Sequence, residues 1–129
     1  MTTKYGYEYY EWVAAKREMR DVLIERARHG GTISCSELIP MVTTISFEPE
    51  AYAFAAMLGE ISSEEAAAGR GMLSVVVVQK SGEMQPGRGF FDLAKRLGRD
   101  TSDTAKCWIE ELKHVHHVWS TSEAFASLT

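Results

Sequence analysis

Five cationic side chains, Lys80, Arg88, Lys95, Arg96 and Arg99, fall close together in one stretch of this chain. They sit in and just after a loop rich in glycine and proline. Such bases suit phosphate: loop cations reach a groove or a backbone, and helix cations add backbone contacts. Other groups carry weaker chemistry. Glu110, His114 and His117 are spaced four and three apart on one polar helix face, and nitrogen and oxygen ligands so placed can hold zinc. They lack a fourth ligand, so an exposed histidine pair and no metal site is the expectation. Pro86-Gly87-Arg88-Gly89 precedes a helix, where backbone amides can hold an anion. It has neither the Walker lysine spacing nor the dinucleotide fingerprint, and reads as a turn that needs glycine. Cys35 follows an extended segment and precedes a helix, but no histidine is placed to pair with it. Glu64 and Glu65 are adjacent, so they diverge on a helix and make no acid/base pair. No catalytic constellation stands out, and a non-enzymatic chain without cofactor is expected.

The elements that must position these cations follow from length and patterning. At 129 residues with 45% hydrophobic and 25% charged residues, the chain reads as one domain spanning 1–129. Residues 1–7 and 120–129 are expected to be loose. No apolar run approaches the roughly 20 residues of a membrane span. The polar, tyrosine-rich start has no apolar core, and Cys35 and Cys107 lie far apart. Free thiols in a cytoplasmic protein are the expectation. The net charge of −4 is unevenly spread. Between Gly30 and Gly69 there are six acids (Glu37, Glu48, Glu50, Glu60, Glu64, Glu65) and no Lys or Arg. A polyanion surface must therefore come from the two ends of the chain, while the middle repels phosphate.

Trp12, Ala15, Met19, Val22, Leu23 and Ala27 recur at three- and four-residue steps, which predicts a helix over about Glu8 to Arg28. His29-Gly30-Gly31 stops it. Thr32 to Ser34 is short and extended, and Ser34 or Ser36 can cap a helix over Glu37 to Val42, with Glu37 three residues after Ser34 as a capping box requires. Glu48-Pro49-Glu50 opens a longer helix with Phe54, Met57, Leu58 and Ile61 toward the core. Ser62-Ser63-Glu64-Glu65 reads as a kink or a fresh start. Met72 to Gln79 is apolar and β-branched throughout, as in a strand covered on both faces. The turn-rich loop Lys80 to Gly89 leads to a helix with Phe90, Leu93, Ala94 and Leu97 on one stripe. A final helix, capped at Thr101 or Ser102, shows Ala105, Trp108, Ile109, Leu112, Val115 and Trp119.

From Thr32 to Leu97 this order resembles the winged-helix domain of DNA alkyltransferases and their non-catalytic relatives. TISCSELI stands at that family's strand and first motif helix, AYAFAAMLGEI at its recognition helix, LSVVVV at its reactive-cysteine strand, and PGRGFFDLAKRLG at its glycine pair and lysine-bearing helix. Ser74 falls where the reactive cysteine belongs, and Val75 and Val76 replace the His and Arg that follow it. A thiolate acceptor needs a neighbouring base, so alkyl transfer is not expected. The arginine that displaces a base has no counterpart either. The resemblance thus implies a fold, which by itself does not establish function.

The expectation is an α+β, mainly helical winged helix-turn-helix with a small antiparallel sheet and flanking helices at both ends. Lys80, Arg88, Lys95, Arg96 and Arg99 are the candidate nucleic-acid contacts, and duplex DNA is the first partner. The alternative is a protein partner or homodimer that uses the acidic helix surface and the tyrosine-rich leader. No membrane association is expected.

Overall fold

The computed structural model describes residues 3–48, 51–79 and 87–120. A two-stranded antiparallel hairpin, β1 (Thr3–Lys4) and β2 (Tyr7–Glu8), leads directly into α1 (Tyr9–Arg28). Residues 3–8 are therefore structured, with Tyr5 and Tyr7 packed near Trp12 at ring-centroid distances of 5.0 and 6.3 Å. The α1 stripe buries Trp12, Ala15, Met19, Leu23 and Ala27 as its periodicity demands. Gly30 (φ 68°) turns the chain out of the helix.

The short strand β3 (Ile33–Ser34) feeds α2 (Cys35–Leu38). Both hydrogen bonds of the Ser34/Glu37 capping box are made. The helix then tightens into a 3₁₀ turn, Ile39–Met41, around Pro40. Proline has no N–H to continue the α-helical ladder, so α2 stops a turn short of the span to Val42. The helix α3 (Tyr52–Ala67) is continuous. Ser62 and Glu65, expected to start a new helix, are instead buried within it. Each is satisfied there by a partner outside the helix, which is why neither breaks it. Pro49 and Glu50 lie outside the described residues.

The valine run departs most from expectation. All residues from Met72 to Val78 are buried, yet Leu73–Val76 forms a 3₁₀ turn and only Val77–Val78 (β4) is extended. Strand β4 pairs with β3 in parallel, Ile33 opposite Val77 and Ser34 opposite Val78. The only antiparallel pair among the described residues is the amino-terminal hairpin. The Ser62 hydroxyl donates to Ser74 Oγ at 2.5 Å, and Ser62 Oγ accepts the Ser74 N–H at 2.9 Å. These side-chain bonds replace sheet partners, and α1, α3 and α5 (Thr104–Ser120) pack around the turn. A β-branched apolar run is burial-seeking, and helices can supply that burial as well as a sheet can.

The helix α4 (Arg88–Arg96) starts two residues earlier than expected, so Arg88 is helical. It covers a satellite cluster of Met72, Ala94 and Cys107, flanked by Phe90, Phe91, Leu93 and Leu97. In α5 the buried face is Cys107, Glu111, Val115 and Trp119, while Ile109 is exposed. Its first turn is closed by Asp103, which accepts from the Lys106 N–H at 3.1 Å. Ser102 bonds Asp100 instead. The two long flanking helices pack together, as their facing stripes require. Among the described residues no helix is long and apolar enough to cross a membrane.

Ion pairs tie α1 to the acids of α3. Glu60 takes Lys4 at 2.7 Å and Lys16 at 3.2 Å, and Trp12 Nε1 donates to it at 3.0 Å. Glu64 takes Lys16 at 2.6 Å and also Arg20. Burial works against ionisation of Glu60 and Glu64, but their cationic partners outweigh it and hold both carboxyls below the usual range. Glu18 is held low first by the Thr44 N–H, with the Thr43 and Thr44 hydroxyls and the Thr43 N–H adding to it. A carboxyl whose folded pKa is depressed adds stability above its unfolded pKa and loses it as pH falls through the folded value. Thermal midpoints should therefore be flat from neutrality down to roughly pH 5 and fall below it. Circular-dichroism melts across that range check this. The Glu60→Gln variant should lose part of the neutral-pH stability and show a shallower acid limb. A midpoint already dropping between pH 7 and 6 would contradict the assignment.

Candidate nucleic-acid interface

An open cleft of about 710 Å³ lies between α3 and α4. From α3 it is lined by Ala55, Ala56, Gly59, Glu60, Ser63 and Glu64, and Val77 to Gln79 also line it. Arg88, Asp92 and Arg96 line the α4 wall. These three recur at four-residue steps, so they share one helix face. Tyr5, Tyr52, Phe54 and Phe90 are its aromatic members. Tyr52 is 75% exposed and its ring lies 5.5 Å from that of Tyr5. The two helices meet near Gly59, where a Cβ would make an ordinary contact with Leu93 at 3.9 Å.

The five candidate cations divide. Arg88 and Arg96 are exposed and line the cleft together. Lys95 is exposed on α4 but is not among the cleft residues. Arg99 turns inward: its Nε and Nη2 donate to Glu111 at 3.1 and 3.3 Å, and Nη1 donates to the Leu97 carbonyl at 3.2 Å. Glu111 also accepts the buried Met72 N–H at 2.8 Å. Arg99 therefore anchors α4 to α5, and a charge reversal there damages the fold before it reports on binding. Lys80 lies outside the described residues. Its neighbours up to Pro86, where a wing would stand, do so too.

The acids of the middle segment are also redistributed. Glu60, Glu64 and Glu65 face bases of α1 and of the turn after α3, and only Glu48 of the described acids near the start of α3 is simply exposed. The acids of α3 are thus paired with cations of the amino-terminal segment, although Glu60 and Glu64 also line the cleft. Their repulsion of phosphate is correspondingly reduced, because each carboxylate already has a cation in contact. No pattern in the sequence separates these paired acids from free ones. The Gly30–Gly69 interval, which has no Lys or Arg, conceals partners contributed by Lys4, Lys16, Arg20 and Arg70.

The remaining candidates keep apart. Cys35 lines the cleft, and burial pushes its thiol up, so it stays protonated at neutral pH. Burial first, then Glu111 and Glu110, does the same to Cys107. Glu110, His114 and His117 are exposed on α5, and no group of three or more His, Cys, Asp or Glu side chains comes together among the described residues. His116 contacts the Gly31 carbonyl at 3.0 Å. The aromatic pair at the cleft was not singled out by sequence patterning; Tyr5 and Tyr52 meet only through the hairpin. Compared with family models, with curated proteins and with solved structures, the chain finds no match.

Proposed function

We propose that this chain is a non-catalytic binding module of winged-helix type that holds single-stranded nucleic acid across the α3–α4 cleft. The observation that carries the reading is the pair Arg88 and Arg96, exposed on one wall of a cleft that also presents Tyr52. Grooves for single strands combine cations along the backbone path with aromatic faces on which bases stack. Arg88 and Arg96 are eight residues apart, about 12 Å along the helix axis, enough to engage separate phosphates of one strand. A recognition helix must project into the major groove of a duplex. Helix α3 instead gives Ala55, Ala56, Gly59 and Ser63 to the cleft that it shares with α4. The net charge of −4 keeps affinity modest.

Fluorescence anisotropy with a labelled oligonucleotide tests this. A single strand should bind more tightly than its duplex, with log affinity falling against log salt at a slope of about −1.4 for two phosphate contacts. Arg88→Glu with Arg96→Glu should remove binding. Tyr52→Ala should weaken it about tenfold, the size of one lost base stack. Equal binding of single strand and duplex, or full binding by the arginine double variant, would sink the reading.

A further inference from the structure

The outward face of α1 is unlike that of any other helix here. Over its first two turns it presents Tyr10, Val13, Ala14 and Arg17 at steps of three, one and three residues, with Tyr9 beside them. Tyr9 is 52% exposed, Tyr10 72% and Val13 42%, although the opposite face of the same helix is fully buried. These residues, with Glu18, line a shallow depression along the helix. A surface helix ordinarily carries its charges on that side. Here the charges lie at the margins: Glu11 near the amino-terminal end, Arg17 at the other, and Asp21 a turn beyond.

That charge order selects the occupant. We infer that this face pairs with the same face of a second copy of the chain, the two α1 helices running antiparallel about a twofold axis near Val13 and Ala14. The axis sets Ala14 of each copy against Val13 of the other, so the small side chain admits the larger one. It sets each Arg17 over the other copy's Tyr10 and beside its Glu11. A guanidinium is attracted both to an aromatic face and to a carboxylate, and the twofold makes the contact twice. A parallel pair would instead bring Arg17 against Arg17. Nucleic acid is a poor occupant, because the single cation is surrounded by Glu11, Glu18 and Asp21. One helix face is smaller than the roughly 800 Å² per partner of a stable interface. The dimer is therefore weak and reversible, with Kd on the order of tens of micromolar.

Sedimentation velocity on the whole chain, from low-micromolar to near-millimolar concentration, tests the pairing. The wild type should pass from monomer to dimer across that range. Tyr10→Glu should remain monomeric throughout. Arg17→Glu alone and Glu11→Arg alone should each raise Kd about tenfold, one lost pair contact on each side. The double variant Glu11→Arg with Arg17→Glu should bring Kd back between the single variants and wild type, because the charge pair is restored while the contact of a guanidinium with Tyr10 is not. These side chains are at least partly exposed, so thermal melts should show unchanged stability and separate loss of pairing from loss of fold. A monomer at every concentration overturns the inference. So does a dimer indifferent to Tyr10→Glu, or a double variant as weak as either single one. The cleft is remote from this test: oligonucleotide affinity of the Tyr10→Glu monomer should equal that of wild type.

Discussion

Replacing Glu65 with alanine should cost about 3 kcal/mol, the scale of breaking a buried ion pair from one side. Glu65 is 2% exposed, near the carboxy-terminal end of α3. Its carboxylate takes Arg70 in a fork, Nε to Oε1 at 2.7 Å and Nη2 to Oε2 at 3.0 Å, and Arg20 Nη1 lies 3.6 Å away. The carboxylate raises the pKa of Arg70. Without it, two guanidinium groups converge on an empty site, and Arg20 Nε is already buried without a hydrogen-bond partner. Arg70 is 43% exposed and can swing into water, so the cost sits at the lower end of the range for fully buried pairs. For a chain of this size the thermal midpoint should fall by roughly 10 °C. Glu65→Gln keeps the volume and should lose about half as much. A midpoint for Glu65→Ala within a degree or two of wild type would show that the cluster is already well hydrated.

Gly71→Ala should be the second severe change, about 3 kcal/mol or more, combining backbone strain with overpacking. Gly71 has φ 90°, and a Cβ there would stand 2.7 Å from His114 Cδ2, 2.9 Å from Val115 Cγ2 and 3.1 Å from a Glu111 oxygen. Val115 is fully buried. Glu111 holds both Met72 N–H and Arg99. Pushing α5 outward therefore disturbs the junction of the 3₁₀ turn, α4 and α5 together. Gly69→Ala is the control. Gly69 has φ 81° but open space around its Cβ position, so it carries the strain without the clash and should cost about 1 kcal/mol. Urea unfolding of the two variants separates the contributions. Equal losses would mean that the close approach of α5 contributes nothing.

Much of the local structure was legible in the chain. The α1 stripe, the Ser34/Glu37 box, the stop at His29-Gly30-Gly31 and the seating of Phe54, Met57 and Ile61 depend on neighbours a few residues away, so short-range spacing encodes them. The paired flanking helices followed from apolar faces that had to meet something. The valine run is a 3₁₀ turn and not a full strand because hydrophobicity encodes burial without naming what buries it. Ser62 and Ser74 decided that outcome from twelve residues apart. The winged-helix outline is still carried by element order alone, since the segment that would form the wing lies outside the described residues.

The candidate interface divides in the same way. Sequence alone determined that cations gather on α4 and that the middle of the chain is acidic, because charge is a property of residue type. Only the tertiary structure decided that Arg99 is consumed by Glu111, that Glu60, Glu64 and Glu65 are answered from α1 and Arg70, and that Tyr5 meets Tyr52 at a cleft. These are long-range pairings. An ion pair between residues more than forty positions apart, such as Lys16 and Glu60, leaves no periodic trace. It exists because packing of α1 against α3 brings the two charges within reach.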